Sequence, residues 1–369
     1  MENKKYLLNY TENLLSPALI YYKDIILQNT KRTIEMAGGP EYLWPHVKSH
    51  KSAEMVRMQI ELGITRFKCA TVAEVEMAAE AGAKHIILAY PLIGPNVSRF
   101  LELAHAWPGT VFYAIGDDFP MLSILSDESG RMGMRMNLLV DVDIGMHRTG
   151  VPLDELESFY IKVSALKNLN LKGLHCYDGH CKSPDFNSRK AMTEESDAKV
   201  LKIRDSLLRK GHECELMVMG GSPSFPCRTG NTSFYLSPGT IFIGDWGYYS
   251  SLPDMAFTPG AAIFSRVISH QSGNTFTLDL GCKGIATDSI GDRGVIAGLL
   301  DAKPVYQSEE HWVFFLPEIM KRPPIGSECY VIPTHICPTT ALYKEIMVAE
   351  HGDITECWQV NARNRRINF

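Results

Sequence analysis

A lysine near the end of an apolar segment is the first residue in this sequence that suggests chemistry. Lys48 follows Leu43-Trp-Pro-His-Val47, and His46 and His50 flank it. Burying an ammonium group is expensive, so such a lysine either reaches solvent or has its pKa lowered. A desolvated amine is a nucleophile that forms a Schiff base with a carbonyl compound. The residues alone leave both interpretations open.

Two clusters of small residues are candidates for binding a phosphate group. Met219-Gly-Gly-Ser-Pro-Ser224 and Ser237-Pro-Gly-Thr240 each follow a β-rich segment. Glycines and small hydroxyl residues let backbone N–H groups approach a phosphate closely, although such clusters are usually plain turns. Together with a candidate Schiff-base lysine, the two clusters indicate a phosphorylated carbonyl cofactor, and pyridoxal phosphate fits best.

A histidine and a cysteine two residues apart form a third candidate group. His335-Ile-Cys337 follows the β-rich run 329–333. In extended backbone, residues i and i+2 face the same way, so an imidazole and a thiolate would lie side by side. Both are ligands of Zn²⁺, and two protein ligands leave positions open for water or substrate. A lone pair of this kind is more often structural than metal-binding.

These residues must be positioned by the alternation of β-rich runs and amphipathic helical stretches between residues 17 and 239. That alternation predicts parallel strands with crossover helices, and eight well-spaced strands favour a closed (β/α)8 barrel over an open sheet. The predicted strands are Leu43–Ser49, Ile64–Ala70, His85–Tyr90, Thr110–Ile115, Met136–Asp143, Leu171–Tyr177, Cys214–Gly220 and Thr232–Ser237, with Thr240–Asp245 competing for the eighth position. The predicted helices include Ser52–Leu62, Val72–Ala81, Leu153–Leu166 and Glu195–Lys210. In a barrel, catalytic residues collect at the carboxyl ends of the strands.

After about residue 248 the sequence pattern changes to short strand-like runs separated by turn residues. The runs are Ala261–His270, Thr275–Leu280, Trp312–Leu316, Cys329–Pro333 and Ile354–Ala362. This pattern predicts a second, mainly β domain. We therefore expect a barrel over residues 15–247 and a β domain over residues 248–369, with residues 1–14 packed on the β domain.

Composition excludes several classes of protein. The chain has 369 residues, 45% of them hydrophobic, and a formal charge of −5 from 37 basic and 42 acidic residues. An acidic chain without a basic block is a poor candidate for a nucleic-acid or membrane-surface protein. No signal peptide or spanning segment is visible in the sequence, and nine scattered cysteines without a C-x-x-C pair are typical of reduced thiols. The sequence thus predicts a soluble, cytoplasmic enzyme or binding protein.

The ordered set of motifs resembles one enzyme family along nearly the whole chain. The motifs are Pro45-His-Val-Lys-Ser-His-Lys51, Asp143-Ile-Gly-Met-His-Arg-Thr-Gly150, Gly173-Leu-His-Cys-Tyr-Asp-Gly179, Gly220-Gly-Ser222, Ser237-Pro-Gly-Thr240, Asp279-Leu-Gly-Cys-Lys283 and Pro333-Thr-His-Ile-Cys-Pro338. The family is the D-threonine aldolase/D-serine dehydratase group, whose members are fold-type III pyridoxal phosphate enzymes related to alanine racemase.

The resemblance assigns a role to each candidate residue. It implies that Lys48 carries pyridoxal phosphate as a Schiff base, with Arg148 beside the cofactor ring and Tyr177 lining the site. It further implies that the phosphate is held by Gly220, Gly221, Ser222, Gly239 and Thr240, and that His335 and Cys337 are metal ligands from the second domain. Family members are homodimers that act on D-amino acids.

Two reactions of a D-3-hydroxy amino acid are compatible with this site. β-Elimination removes the α-proton, with Lys48 as the natural base, and expels the hydroxyl group, giving an oxo acid and ammonia. Retro-aldol cleavage instead deprotonates the hydroxyl group and gives glycine and an aldehyde. Aldolases of the family place a carboxylate where this chain has Cys337, and a basic histidine where it has Ser183. Elimination with zinc is therefore favoured, while His180 remains a candidate base for cleavage.

Other functions predict different residues. A racemase needs an acid/base opposite Lys48 and no metal. A non-catalytic pyridoxal phosphate carrier is essentially the barrel alone, so the second domain argues against it. A metal hydrolase without the cofactor would place several His and Asp residues at strand ends, where the sequence has few.

Overall fold

The computed structural model describes residues 3–317 and 319–367, and these form two compact units. Of these described residues, the barrel unit comprises 32–48, 53–239 and 364–367, and the β unit comprises 3–31, 49–52 and 240–363 without 318. Along the described residues, no helix is both long enough and apolar enough to cross a membrane.

Strands and α-helices alternate through the middle of the chain, and strands dominate after it. The strands are β1 Ala18–Tyr22, β2 Arg66–Cys69, β3 His85–Leu88, β4 Val111–Gly116, β5 Met136–Asp143, β6 Val151–Pro152, β7 Leu169–Cys176, β8 Leu216–Met219, β9 Tyr235–Leu236, β10 Ala261–Gln271, β11 Thr275–Leu278, β12 Gly294–Ile296, β13 Lys303–Gln307, β14 Trp312–Phe315, β15 Glu328–Pro333, β16 Glu345–Glu350 and β17 Asp353–Gln359. The helices are α1 Lys23–Ala37, α2 Ala53–Glu61, α3 Val72–Glu80, α4 Asn96–Ala106, α5 Phe119–Arg131, α6 Leu156–Val163, α7 Phe186–Arg209, α8 Trp246–Ser251 and α9 Ile336–Thr340.

The sheet of the barrel unit is parallel and curled. Its strand order is β2-β3-β4-β5-β7-β8-β9, with the short β6 paired to β5. Parallel bridges join Leu43 to Leu236 and His46 to Lys68, so the segment 43–46 lies between β9 and β2. The predicted combination of a helix-covered parallel sheet and a mainly β region is confirmed, and β5 has the predicted bounds.

Two predicted strands take another conformation in this structure. Leu43–Ser49 makes strand-like bridges at its start, but Val47–Ser49 turns into a 3-10 helix that contains Lys48. Thr240–Asp245 likewise begins with the 3-10 helix Thr240–Phe242 and ends at Asp245, which caps α8. In both places an extended run of β-formers is broken by a tight turn, because the backbone leaves the sheet at its carboxyl edge.

Large side chains fill the inside of the curled sheet. Trp44 and Tyr113 meet edge to face at 5.5 Å and pack with aliphatic side chains from three other strands, namely Ile87, Leu139 and Val218. The indole N–H of Trp44 donates to the carbonyl of Phe67 at 2.7 Å, so this buried polar group is satisfied. Polar residues lie on the same face of the sheet, closer than this apolar layer to the carboxyl ends of the strands.

The β unit contains a nine-stranded sheet that includes a strand from the beginning of the chain. The main path is β13-β14-β11-β10-β1-β16-β17, and β15 pairs with β10 and β12. β1 runs antiparallel to β10 and parallel to β16, with all five of its residues buried. The sequence pattern did not predict β1, β12, β13 or β16. Residues 15–31 therefore belong with the β unit and not, as the sequence boundary at residue 15 expected, with the barrel.

Candidate active site

Lys48 lies in a tight turn at the carboxyl edge of the barrel sheet. The preceding segment is held by the N–H of His46, which donates to the carbonyl of Pro238 at 2.9 Å. The ring Nδ1 of His46 in turn accepts from the backbone N–H of Lys48 at 3.4 Å. His46 is therefore part of the support of this turn, and the Lys48 side chain is half-buried.

Three cationic side chains surround the ring of Tyr177, the residue that follows β7. The ring centroid lies 5.7 Å from Lys48 Nζ, 5.7 Å from Lys68 Nζ and 4.8 Å from the guanidinium carbon of Arg148. Each contact is within the range of a cation–π attraction. The structure thus brings Lys48, Tyr177 and Arg148 together, as the predicted site requires, and adds Lys68.

The loop that carries Arg148 is shaped by one carboxylate. Asp143 ends β5 and accepts from the backbone N–H groups of Gly145 and His147 at 2.9 and 3.0 Å. Burial raises the pKa of Asp143, but these donors outweigh it and lower the pKa below its ordinary value. Asp117 Oδ2 accepts from the N–H of Gly150 at 2.6 Å and fixes the other end of the loop.

Lys68 is a fully buried amine on β2, with 2% of its surface exposed. Among residues 3–317 and 319–367, no carboxylate lies within ion-pair distance of its Nζ. Burial and the charge of Lys48 lower its pKa to about 7, although Asp141 and Asp178 act in the opposite direction. The sequence analysis missed Lys68, because one lysine in a short strand is usually solvent-exposed and only the curled sheet buries it.

A buried carboxylate–imidazole pair lies on the same face of the sheet as Lys68. Asp141 and His175 are register partners on β5 and β7, and Asp141 Oδ1 lies 2.7 Å from His175 Nδ1. The other two polar atoms, Asp141 Oδ2 and His175 Nε2, have no hydrogen-bond partner among the described residues. Burial lowers the pKa of His175. Two buried polar atoms therefore remain unsatisfied on this face of the sheet, on residues that include His175, two positions before Tyr177.

The Gly220-Gly221 segment is shaped by a buried ion network. Gly220 has φ +75°, and a Cβ there would come within 2.7 Å of both Arg228 Nη1 and Ser224 Oγ. Arg228 is itself held by Asp178 at 2.5 Å, and Ser224 Oγ lies 2.7 Å from the same carboxylate. A Cβ on Gly221 would meet Tyr177 Cε2 at 2.9 Å. Only glycine fits at these two positions, and both backbone N–H groups are used within the chain: Gly220 donates to the carbonyl of Cys176 at 2.8 Å and Gly221 donates to Ser224 Oγ at 3.1 Å.

Ser222 and Gly239 connect the two predicted phosphate loops. The N–H of Gly239 donates to Ser222 Oγ at 3.0 Å, and Ser222 is buried. Gly220, Gly221, Ser222 and Gly239 therefore belong to one group in the barrel unit. Thr240, the next residue, lies in the β unit, where its Oγ1 is 3.2 Å from Cys337 Sγ.

His180 packs beside the Arg148 loop. Its Nε2 lies 3.5 Å from Cys181 Sγ, and a Cβ on Gly145 would come within 2.8 Å of that nitrogen. Its Nδ1 is buried without a hydrogen-bond partner in the described part of the chain. Ser183, three residues on, accepts through its carbonyl from Arg189 Nη1 at 2.6 Å.

In the β unit, His335 and Cys337 lie side by side at the start of α9. His335 caps α9, and its Nδ1 is 2.5 Å from Asp288 Oδ2. The Sγ of Cys337 lies 3.1 Å from Ser49 Oγ as well as close to Thr240. Asp288 was not predicted, because 47 residues separate it from His335 in the sequence.

His335 and Cys337 shift each other's pKa in opposite directions. Burial lowers the pKa of His335, but Cys337 and Asp288 outweigh it and raise the pKa to about 9. Burial raises the pKa of Cys337, but His335 and the hydroxyl groups of Ser49 and Thr240 outweigh it and lower the pKa. No group of three or more His, Cys, Asp or Glu residues is placed to hold a metal within residues 3–317 and 319–367.

Known proteins share both regions of this chain. Residues 23–245 match the family described as "Alanine racemase, N-terminal domain", and residues 260–349 match the one described as "Putative serine dehydratase domain". The chain is 25% identical over 332 residues to D-threonine aldolase of Arthrobacter sp, covering 87% of this chain and 85% of that protein. It is 26% identical over 365 residues to 3-hydroxy-D-aspartate aldolase of Paracoccus denitrificans (strain Pd 1222), covering 95% and 92%.

Solved structures show the same architecture. D-threonine aldolase from Filomicrobium marinum superposes with a TM-score of 0.86 at 25% identity, covering 95% of each chain. D-threo-3-hydroxyaspartate dehydratase from Delftia sp. HT23 has a TM-score of 0.83 at 18% identity, covering 94% of this chain and 97% of that one, and so shares the fold.

The fold and the site define a lyase of the pyridoxal phosphate-dependent class with an alanine racemase-like barrel. Because the first family match covers more than half of the chain, the chain belongs to the alanine racemase N-terminal domain family. Within it, the second match and the relatives assign it to the D-threonine aldolase/D-serine dehydratase group, which confirms the predicted resemblance.

Proposed function

We propose that this protein is a pyridoxal phosphate- and metal-dependent dehydratase that converts a D-3-hydroxy amino acid into an oxo acid and ammonia. The observation that carries the choice of reaction is the donor pair in the β unit. His335 and Cys337 lie side by side at the start of α9, so the pair offers one nitrogen and one sulfur donor, each of which would bind a metal after loss of its proton. Thiolate favours a soft metal such as zinc, a Lewis acid strong enough to help a hydroxyl group leave.

The residues of the barrel unit fit pyridoxal phosphate. Side chains pack so closely on Gly220 and Gly221 that neither position has room for a Cβ. In the second loop, the hydroxyl of Ser237 is buried without a hydrogen-bond partner in the described part of the chain, so it is a polar atom that a bound phosphate would satisfy. Phosphate would be held by Gly220, Gly221, Ser222 and Gly239, with Thr240 next in the chain, and the aldehyde by Lys48. When bound, the cofactor supplies an electron sink for the charge that develops at the α-carbon.

The residues of the β unit fit a divalent metal. Asp288 engages Nδ1 of His335, which leaves Nε2 as the ligand, and this is the usual second contact of a metal-binding histidine. Cys337 supplies the second donor. When bound, the metal supplies Lewis acidity to the 3-hydroxyl oxygen of the substrate.

The chain's own residues then have distinct tasks in elimination. Lys48 takes the proton from the α-carbon. Tyr177 and Arg148, whose ring centroid and guanidinium carbon are 4.8 Å apart, would orient the substrate beside Lys48. Loss of the α-proton and the 3-hydroxyl group amounts to loss of water, and hydrolysis of the released enamine returns that water and gives the oxo acid and ammonia.

Retro-aldol cleavage is the second candidate, and two observations favour it. The two relatives named above on sequence similarity, from Arthrobacter sp and Paracoccus denitrificans, are aldolases. His180 also has a buried Nδ1 without a hydrogen-bond partner among the described residues, so this ring is available to accept a proton. Cleavage would need that base at the 3-hydroxyl group of the substrate, and would give glycine and an aldehyde.

Product analysis tests the proposal. The purified protein is loaded with pyridoxal phosphate and zinc and given D-serine, D-threonine or D-3-hydroxyaspartate, with and without a chelator. We expect ammonia with a 2-oxo acid, lost with chelator and restored by zinc. The Cys337→Ala variant should lose this activity, whereas Cys357→Ala, an exposed cysteine of the same unit, should keep it.

Other products would point elsewhere. Glycine with an aldehyde, abolished in a His180→Gln variant, would establish cleavage and refute elimination. Interconversion of D- and L-amino acids without dependence on metal would refute both lyase reactions in favour of a racemase.

A further inference from the structure

Lys68 is a buried amine that none of the roles above uses. It lies on the inner face of the barrel sheet, and its Nζ is as far from the Tyr177 ring centroid as that of Lys48, 5.7 Å in each case. Isolated lysines are almost never fully buried unless they are paired. Lys68 nevertheless has no carboxylate within 4.0 Å in residues 3–317 and 319–367.

Four charged groups act on Lys68, and they come from the turn at Lys48, the end of β5 and the residues after β5 and β7. Lys48 lies two residues after His46, which forms a parallel bridge with Lys68, and Arg148 lies in the loop after β5. Asp141 and His175 stand on β5 and β7, and Asp178 follows β7. The positive neighbours act against protonation of Lys68 and the two carboxylates favour it. The carboxylates are already engaged, however, Asp141 by His175 and Asp178 by Arg228.

We propose that Lys68 is an additional cofactor-binding cation of the barrel unit and that it takes up a proton when the anionic cofactor binds. This inference rests on the proposed function, because it needs pyridoxal phosphate or an analogue to bind the group around Tyr177. Lys68 supplies a charge that attracts the anionic ligand, and the only bond it gains is the N–H bond to the proton taken from the buffer.

The physical reason is the charge balance around the Tyr177 ring. Burial and Lys48 lower the pKa of Lys68 to about 7, so at pH 8 the amine is neutral in most molecules. An anion bound nearby stabilises the ammonium form and raises the pKa. The proton comes from the buffer, and the charge then holds the ligand. An amine that is roughly nine-tenths neutral before binding takes up at most about 0.9 proton per chain.

Calorimetry measures this uptake directly. The probe is pyridoxine 5′-phosphate, which lacks the aldehyde and forms no bond with Lys48. Its binding to the apoprotein is measured at pH 8 in two buffers of different ionisation enthalpy, and the difference in heat gives the number of protons exchanged. The free ligand ionises equally in all experiments, and Lys68→Arg keeps the positive charge beside the bound ligand. The difference in uptake between wild type and Lys68→Arg therefore belongs to residue 68.

Two substitutions separate charge from proton uptake. Lys68→Arg is always charged, so we expect binding within about threefold of wild type and an uptake smaller by more than about 0.5 proton. Lys68→Met is always neutral, and we expect the same loss of uptake together with affinity weaker by about tenfold or more at low salt. Lys84→Met, an exposed lysine before β3, should match wild type in both measurements.

The outcomes are distinct from those of the proposed function. Binding without any difference in proton uptake between wild type and Lys68→Arg would overturn the role of Lys68 and leave the cofactor assignment intact. Absence of binding by wild type, for both the probe and pyridoxal phosphate itself, would overturn both. If either variant fails to fold, ¹³C spectra of wild type labelled at lysine Cε replace it. We then expect one lysine to titrate near neutral pH without the probe and to remain charged at pH 8 with it.

Discussion

Replacing Gly220 by alanine tests whether the glycine loop is shaped by the buried ion network beneath it. Gly220 has φ +75°, and its added Cβ would stand 2.7 Å from Arg228 Nη1 and from Ser224 Oγ. Gly211, in the turn after α7, has nearly the same backbone angle, φ +83°, but a Cβ there meets nothing within 4 Å. The two substitutions therefore share the backbone cost and differ in the clash.

The expected magnitudes follow from these two terms. An alanine with positive φ costs about 1 kcal/mol relative to glycine, and this applies to both positions. At Gly220 the Cβ must also displace Arg228 or Ser224, and neither has room to move, because both are buried and bound to Asp178. Overpacking of this kind costs about 1–3 kcal/mol. We expect a loss of about 1 kcal/mol for Gly211→Ala and about 2–4 kcal/mol for Gly220→Ala.

Urea denaturation of the two apoproteins, followed by circular dichroism, measures the free energies of unfolding. Titration with pyridoxal phosphate, followed by absorbance, measures the dissociation constant of each folded variant. Gly220→Ala should weaken cofactor binding by tenfold or more, on the order of 1.4 kcal/mol, because the loop backbone shifts. Gly211→Ala should bind as wild type does. Equal stability losses for the two variants, or wild-type affinity in Gly220→Ala, would refute the reasoning.

Four further predictions concern single side chains. Lys48→Ala should abolish the absorbance of the lysine-bound cofactor, and persistence of that band would contradict its assignment. Cys337→Ala should remove bound zinc and activity together, measured by metal analysis against Cys357→Ala, whose unchanged content is the control. Asp288→Asn should weaken zinc affinity by about 10–100-fold in a competition titration with a chelator, while cofactor binding stays the same. His50 is buried, and burial lowers its pKa to about 3. Between pH 6.5 and 3 the unfolded chain therefore binds more protons at this residue, so the free energy of unfolding falls as pH falls. His50→Gln should reduce that slope by up to about 1.4 kcal/mol per pH unit in urea titrations.

Local sequence pattern was sufficient for six barrel strands, β2 to β5, β7 and β8, because each lies close in sequence to the next and repeats the same apolar run. It failed for Val47–Ser49 and Thr240–Phe242, which form 3-10 helices. It failed for β1, whose partners are at residues 261–264 and 347–349, since no local feature indicates a pairing over such distances. It also failed for β12 and β13, which are short and interrupted by turn residues.

The candidate site divides in the same way. Lys48, the glycines and the His335/Cys337 pair stand out because unusual residue types occur together within a few positions. The sequence does not single out Lys68, Asp141 or Asp288, because each is an ordinary charged residue in its local sequence. Only the folded structure buries Lys68 and Asp141 and places His175 beside Asp141 and His335 beside Asp288. The properties of these residues depend on their surroundings in the fold, which are formed by residues far away in the sequence.

The pairing of β1 also has a consequence for synthesis of the chain on the ribosome. Ala18 pairs with Phe264, and Ile20 pairs with Met347, so the strand leaves the ribosome long before either partner exists. At about 5–20 residues per second, the first partner follows after roughly 12–50 s. During that interval the uncharged, β-prone run Ala18-Leu-Ile-Tyr-Tyr22 has no native neighbour, which is the composition of an aggregation-prone segment. Nascent chains should therefore depend on a chaperone that shields this run, while residues 32–239 can complete their sheet without it.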